Sequence, residues 1–183
     1  SYNPNGSSGV NQQLEVIPLD FGNLTELKFL YLEKNSLTTL PCTFPALTNL
    51  ISLTISNNFI TSLPEDFGAI DQLFFLDMGY NQLESLPNSI CEIEDLSYLY
   101  LFNNSLEEVP TCICELDVAW NGFDGGNFPY FGIGANQLCG EDIPGCIEDS
   151  DNFELSLDQF YYSTIIVAPQ DCLGVCNDEC CSP

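Results

Sequence analysis

Carboxylates and cysteines are the residue types of this sequence that could do chemistry. The chain of 183 residues has 27 Asp and Glu, 10 Cys, 2 Lys and Arg, and no His. Without histidine there is no imidazole base to activate a nucleophile, and the sequence has no glycine-rich phosphate loop. Carboxylates such as Asp77 and Asp117 belong to no catalytic motif. We therefore predict a protein that is not an enzyme and that has no cofactor.

The acidic residues also predict no metal site. The run most like a metal-binding loop is EDSDNFE at residues 148–154, and it lacks the glycine and the ligand spacing of a calcium loop. Other acids are spread along the chain, which favours a solvated acidic surface over a dedicated calcium site.

The net charge limits the partners that the chain can have. At −25, the chain repels nucleic acid and anionic membrane surfaces. No apolar run is long enough to span a bilayer, and STIIVA at residues 163–168 is far too short. The sequence begins without Met and without a signal peptide, as expected of a processed or excerpted product. We predict no nucleic-acid partner and no membrane span.

A 23-residue repeat organises the chain. Four stretches fall in the same register: LKFLYLEKNSL from Leu27, LISLTISNNFI from Leu50, LFFLDMGYNQL from Leu73 and LSYLYLFNNSL from Leu96. Two shorter stretches, LDVAWNGF and FGIGANQL, follow with the same apolar positions and an asparagine. Six units therefore carry the pattern, and we predict one short strand in each.

The repeat resembles the leucine-rich repeat family in its form LxxLxxLxLxxNxLxxLPxxFxxL, over residues 12–138. The resemblance implies an α/β-type solenoid: a right-handed superhelix with a short-stranded parallel sheet on the concave face and an irregular or 3-10 convex side. We divide the chain into a polar leader at 1–11, the solenoid at 12–138, and a cysteine-rich cap and tail at 139–183. The tail includes a predicted β segment at 153–169.

The repeated asparagines are predicted to be structural. A buried carboxamide both donates and accepts, so stacked asparagines can satisfy the backbone groups where each coil leaves its strand. The predicted ladder consists of Asn35, Asn58, Asn81, Asn104, Asn121 and Asn136.

The cysteines and glycosylation motifs indicate an extracellular or cell-surface protein. Without histidine to complete a zinc site, disulfides are favoured over metal binding. The disulfide candidates are Cys91, Cys112, Cys114, Cys139, Cys146, Cys172, Cys176, Cys180 and Cys181. N-glycosylation motifs occur at Asn5, Asn23 and Asn103.

Two pairings of Cys114 are open from the sequence. Cys91 and Cys114 hold equivalent places one coil apart, which makes a Cys91–Cys114 bond the first expectation. A Cys114–Cys146 bond is the alternative. Cys112, Cys114, Cys139 and Cys146 are also similar to the Cys-x-Cys…Cys…Cys cap of many extracellular leucine-rich repeats, although two repeat-like units lie between these cysteines.

Aromatic and acidic residues at outward positions form the predicted binding surface. A contiguous group of exposed aromatic side chains indicates a contact surface, although the rings could instead shield one another. A glycan at Asn103 would lie on the same face. The predicted concave surface consists of Tyr31, Asp77, Tyr80, Tyr100, Phe102, Asp117 and Trp120.

Two functions fit these features. The first is a structural subunit that assembles head to tail into a surface filament or coat. It is favoured by the incomplete first repeat around Leu14, Ile17 and Phe21, the predicted β segment and the cysteine-rich tail. The alternative is a recognition module that binds a protein or glycan on the concave face. The predicted partners are therefore other copies of the chain, another extracellular protein, or glycans.

Overall fold

The parallel sheet of a repeat solenoid is the main feature of the computed structural model, which describes residues 13–122, 124, 129–138 and 143–150. Neighbouring strands pair in chain order and in parallel. The five strands are β1 (Phe29–Tyr31), β2 (Ser52–Thr54), β3 (Phe75–Asp77), β4 (Tyr98–Tyr100) and β5 (Phe131–Gly132). The predicted leucine-rich repeat solenoid is confirmed.

Short 3-10 turns form the opposite side of each coil. They are Leu19–Asn23, Phe44–Ala46, Phe67–Ala69, Asn88–Glu92 and Thr111–Glu115. Proline precedes three of them, and its fixed φ favours entry into such a turn. The single α-helix among the described residues, α1 (Gly145–Glu148), follows the last coil. Within the described ranges, no helix has the length and apolar character to cross a membrane.

The core is a stack of leucines between the sheet and the turns. Leu53, Leu76 and Leu99 occupy equivalent inward positions on neighbouring strands and are fully buried. On the turn side, the rings of Phe21, Phe44 and Phe67 lie parallel to one another, with centroids 6.3 and 6.4 Å apart. Each coil therefore buries its apolar side chains mainly against its neighbours, as expected of a solenoid.

Asparagine side chains connect successive coils. Asn81 is typical: its Oδ1 accepts a hydrogen bond from the backbone N–H of Ile60 at 3.0 Å. Its Nδ2 donates to the carbonyls of Ile55 and Met78, each at 3.0 Å. Equivalent bonds to the previous coil are made by Asn35, Asn58, Asn104 and Asn136. The last three of these are buried, whereas Asn35 is half-buried.

The prediction of six strands with Asn121 in the ladder is wrong. Strand β4 pairs directly with β5, and Asn136 accepts the hydrogen bond from Leu106 N–H at 3.0 Å. Asn121 is exposed instead. Asn121 follows Asn104 by 17 residues, and Asn136 follows Asn121 by 15 residues. These steps are too short for separate coils, since leucine-rich repeats need about 20–29 residues. The two short units form one enlarged coil.

In the part of the chain that the structure describes, two disulfides lie at the C-terminal end of the solenoid. Cys91 bonds to Cys112, with Cα atoms 6.0 Å apart, and Cys114 bonds to Cys146, with Cα atoms 5.6 Å apart. The expected Cys91–Cys114 bond is therefore wrong, because Cys114 is bonded to the cysteine of α1. The next residue in α1, Ile147, is fully buried in the core, so the helix covers the end of the last described coil.

Several predictions lie outside the described residues. They concern the leader at 1–11, the β segment at 153–169, the motif at Asn5, and five cysteines of the last part of the chain: Cys139, Cys172, Cys176, Cys180 and Cys181.

Thiol labelling of the folded protein without reductant should separate Cys42 from the bonded cysteines. Cys42 is exposed and is not in a disulfide, so we expect a maleimide to modify it. Cys91, Cys112, Cys114 and Cys146 should stay unlabelled until reductant is added. Peptide mass mapping would check this result. Labelling of these four at the rate of Cys42 would place the protein in a reducing compartment.

Candidate functional site

Two rows of outward side chains cross the concave face of the sheet. The strand register places Phe29, Ser52, Phe75 and Tyr98 side by side. The second row consists of Tyr31, Thr54, Asp77 and Tyr100. The first row was not in the predicted surface, although the same alternation of inward and outward side chains would have identified it.

Two aromatic side chains at the C-terminal half of this face, Tyr100 and Phe102, are closed off from solvent, whereas Tyr80 and Tyr98 are half-buried. Tyr100 and Phe102 are each only 1% exposed. The Tyr100 hydroxyl donates to the carbonyl of Pro129 at 2.7 Å, and the ring of Phe102 packs edge-on against Tyr80. Phe102 lies so close over Gly79 that an added Cβ there would fall 2.5 Å from its ring. Tyr100 and Phe102 are therefore covered by their neighbours and are not free for a partner.

The long last coil contributes to this closure. Tyr130 packs on Tyr98 with ring centroids 4.7 Å apart. The Tyr98 hydroxyl donates to Oδ2 of Asp124 at 3.3 Å. The pKa of Tyr98 is raised to about 12. The main cause is desolvation of Tyr98, and the second is the nearby charge of Asp124. Tyr98 therefore stays protonated and remains a donor to Asp124.

Two residues of the predicted surface lie elsewhere. Trp120 packs edge-on against the inward ring of Phe131 at 4.8 Å and belongs to the margin of the core. Its backbone carbonyl accepts a hydrogen bond from the Ser150 hydroxyl at 2.7 Å. Asp117 is exposed at the edge of the sheet, in a groove with Phe74. The structure therefore places neither residue among the aromatic side chains that pack on the concave face.

The N-terminal half of the concave face is open. Phe29 is 55% exposed and Tyr31 is 62% exposed, and both lie on the edge strand β1. Glu33 follows them and is exposed, while Ser52 and Thr54 on β2 are half-buried. This half presents two rings beside hydroxyl groups and a carboxylate, a mixture that suits a protein or peptide contact.

Asp77 marks the inner boundary of the open half. Only 8% of Asp77 is exposed, and its Oδ1 accepts a hydrogen bond from the Gly79 N–H at 3.0 Å. Burial raises the pKa of Asp77 from 3.8 to about 6; hydrogen bonds from Gly79 and Ser56 oppose this rise, and the charge of Glu33 adds to it. The side chain therefore changes charge near neutral pH.

Replacing Asp77 with asparagine should stabilise the fold in a pH-dependent way. The pKa of Asp77 is higher in the folded state than in the unfolded state. The protonated carboxyl therefore contributes to the free energy of unfolding at low pH, and this contribution is lost as the pH rises to about 6. The Asp77→Asn variant should match the wild type near pH 3.5. Above pH 7 it should be more stable by about 2–3 kcal/mol, because two pKa units correspond to that energy.

Urea unfolding across this pH range would measure the difference. Asp66→Asn provides a matched control, since Asp66 is exposed. If the stability difference between Asp77→Asn and the wild type does not depend on pH, the raised pKa of Asp77 is contradicted.

Known proteins with the same repeat support the fold. The leucine rich repeat family profile matches residues 26–83 and 48–106. No curated protein matches the chain.

Several solved structures are similar to it. A leucine-rich repeat protein of Leptospira interrogans is 28% identical, with a TM-score of 0.59, and the match covers 74% of this chain and 32% of the other. A second similar structure is the ectodomain of the receptor kinase GASSHO1/SCHENGEN3 from Arabidopsis thaliana, in complex with CASPARIAN STRIP INTEGRITY FACTOR 2. It is 29% identical, with a TM-score of 0.60, and the match covers 74% of this chain and 16% of the receptor chain.

A third similar structure also contains a bound partner. The plant peptide hormone receptor RGFR1 in complex with RGF2 is 26% identical, with a TM-score of 0.60 and coverages of 74% and 21%. In all three comparisons the match spans a third or less of the other chain. Residues 26–106 of the chain are leucine-rich repeats, and the chain folds as a leucine-rich repeat solenoid.

Proposed function

We propose that the chain is a non-enzymatic extracellular scaffold that binds another protein through the N-terminal half of its concave face. The observation that carries the proposal is the contrast along one sheet. Phe29 and Tyr31 are more than half exposed, whereas Tyr100 and Phe102 are almost completely buried. Large exposed rings on a rigid sheet bind partners at a small cost in conformational entropy.

The chemistry of the open half favours a partner with a basic surface. Glu33 lies beside Tyr31, and Asp77 and Glu33 are near enough for their charges to interact. The whole chain has a net charge of −25, which would speed association with a positively charged protein at low salt. Lys34, one of two basic residues in the chain, comes directly after Glu33 in the sequence.

Three features support the extracellular placement. The described residues contain two disulfides, which persist in oxidising compartments. The receptor kinase structure to which the chain is similar is an ectodomain. Asn23, in the motif Asn-Leu-Thr, is exposed at the end of a 3-10 turn and accessible to a glycan.

A binding comparison tests the concave surface. Immobilised wild-type protein and the Phe29→Ser, Tyr31→Ser double variant would each be exposed to proteins from the extracellular fraction of the source organism. A partner recovered on the wild type should bind the double variant at least about tenfold more weakly, since loss of interface aromatics often costs more than 1.4 kcal/mol. Phe59→Ser removes an aromatic that is 48% exposed on another surface and should have no such effect. Equal losses of affinity in the double variant and in Phe59→Ser would exclude the concave site.

Self-assembly is a second candidate, and a separate observation favours it. Val16, Leu19 and Leu24 on the first described coil are 70%, 64% and 49% exposed. Burying each side chain under another copy would contribute about 1–2 kcal/mol. A head-to-tail contact of this kind would generate a filament when its rotation does not close.

Sedimentation velocity over a range of concentrations tests the assembly. Wild-type protein should form larger species at high concentration, and the Val16→Asp, Leu19→Asp variant should remain monomeric. Deletion of residues 153–183 should also abolish assembly while the repeats stay folded. A wild-type monomer at all concentrations would exclude this candidate and leave the concave-face function untouched.

A further inference from the structure

A groove of about 420 Å³ runs along the edge of the sheet where the strands begin. It lies outside the open half of the concave face described above. Its walls come from four successive coils, and their side chains are Ile51, Gln72, Phe74, Glu94, Asp95, Ser97 and Asp117.

The apolar part of the groove is held rigidly. Phe74 is 45% exposed, and its ring packs in an edge-to-face arrangement with that of Tyr98 at a centroid distance of 5.5 Å. The backbone N–H of Phe74 donates to Ile51, at 2.9 Å, and Ser97 N–H donates to the carbonyl of Phe74, at 3.0 Å. A ring fixed in this way offers a face to a ligand without losing much conformational freedom on binding.

The remaining wall of the groove is anionic. Glu94, Asp95 and Asp117 are all exposed, and the 23-residue step between Glu94 and Asp117 places them at the same point of neighbouring coils. The lining contains no basic side chain. In the described part of the chain, no group of three residues is arranged to hold a metal ion. An organic cation therefore fits the groove better than an inorganic one.

We propose that this edge groove binds an arginine side chain from an extended basic segment of a protein partner. The guanidinium plane would stack on the exposed part of the Phe74 ring, as cations do on aromatic rings. Its N–H groups would donate to the carboxylates of Glu94, Asp95 or Asp117, for which a planar fork is better suited than an ammonium group. The proposal does not depend on the concave site.

A short peptide provides the probe, and NMR titration provides the measurement. The peptide acetyl-Gly-Arg-Gly-Arg-Gly-amide should shift the backbone amide signals of Phe74 and Ser97, and the same peptide with citrulline in place of arginine should shift neither. Replacing Glu94, Asp95 and Asp117 with their amides should weaken arginine-peptide binding at least tenfold. Phe74→Leu, which keeps an apolar side chain without the ring, should weaken it about two- to fivefold, as expected from loss of a cation–π contact at an exposed site.

Two controls separate this site from general charge attraction and from the concave surface. Amide replacement of the exposed acids Glu84, Glu107 and Glu108 removes the same charge and should change the affinity less than twofold. The Phe29→Ser, Tyr31→Ser variant should bind the peptide as the wild type does. Equal weakening by both triple replacements, or unchanged binding to Phe74→Leu, would overturn the proposal.

Discussion

Replacing Asn81 with alanine is expected to lower the free energy of unfolding by about 2–4 kcal/mol, because the buried N–H of Ile60 loses its partner. The carbonyls of Ile55 and Met78 each lose one of two hydrogen bonds and keep those from Asn58 and Asn104. The N–H of Ile60 and the carbonyls of Ile55 and Met78 all bond to this one carboxamide. Only 8% of Asn81 is exposed, so water cannot easily replace the lost bonds.

Urea unfolding followed by circular dichroism would measure the change. Asn88→Ala is the matched control, since Asn88 is exposed and lies outside the ladder; its effect should stay below about 0.5 kcal/mol, as for most surface substitutions. Similar effects of the two substitutions would contradict the structural role of the ladder.

Replacing Phe44 with alanine should destabilise the protein by about 3–5 kcal/mol, the range measured for a phenylalanine removed from a packed core. Phe44 is completely buried, and its ring lies between those of Phe21 and Phe67. The substitution therefore leaves a cavity in contact with two neighbouring coils.

The same substitution should also reduce cooperativity. Solenoid stability depends on contacts between adjacent coils, so a defect at Phe44 should let the first coils unfold before the rest. Hydrogen exchange should show faster exchange in β1 than in β4. Phe59→Ala, at an exposed ring, should leave both the stability and the exchange pattern close to those of the wild type. Uniform acceleration over the whole sheet would contradict this prediction.

The regular part of the fold could be predicted because one period sets both packing and hydrogen bonding. Leu53, Leu76 and Leu99 recur every 23 residues and occupy paired positions of the sheet. Asn58 and Asn81 recur with the same step and repeat the same bonds. Local pattern and tertiary contact agree in these coils, so the sequence determines the register.

The last coil was predicted as two units because its first apolar residues and an asparagine imitate a complete unit. Leu116, Val118 and Asn121 have the correct spacing among themselves. The spacing to the neighbouring asparagines was the informative quantity, since 17 and 15 residues are too few to close a coil of at least about 20 residues. The resulting excess of chain supplies Asp124 and Tyr130, which contact Tyr98.

The binding surface was only partly predictable for the same reason. The outward direction of Tyr31, Asp77 and Tyr100 follows from the strand period, but their exposure depends on what packs over them. Tyr100 is buried by contacts with Pro129 and Phe75, of which Pro129 comes from the enlarged coil. No local pattern around Tyr100 contains that information. The exposed aromatic side chains of the sheet therefore lie at its other half, at Phe29 and Tyr31.

Site-specific photocrosslinking tests the central proposal, a protein partner on the open half of the concave face, most directly. A benzophenone amino acid would replace Tyr31 or Thr54 in two variants, and the exposed residues Thr61 or Ser85 in two controls. After irradiation in the extracellular fraction of the source organism, we expect one protein to be crosslinked from positions 31 and 54 and none from positions 61 and 85. Equal crosslinking at all four positions, or crosslinking only at the two controls, would contradict the account.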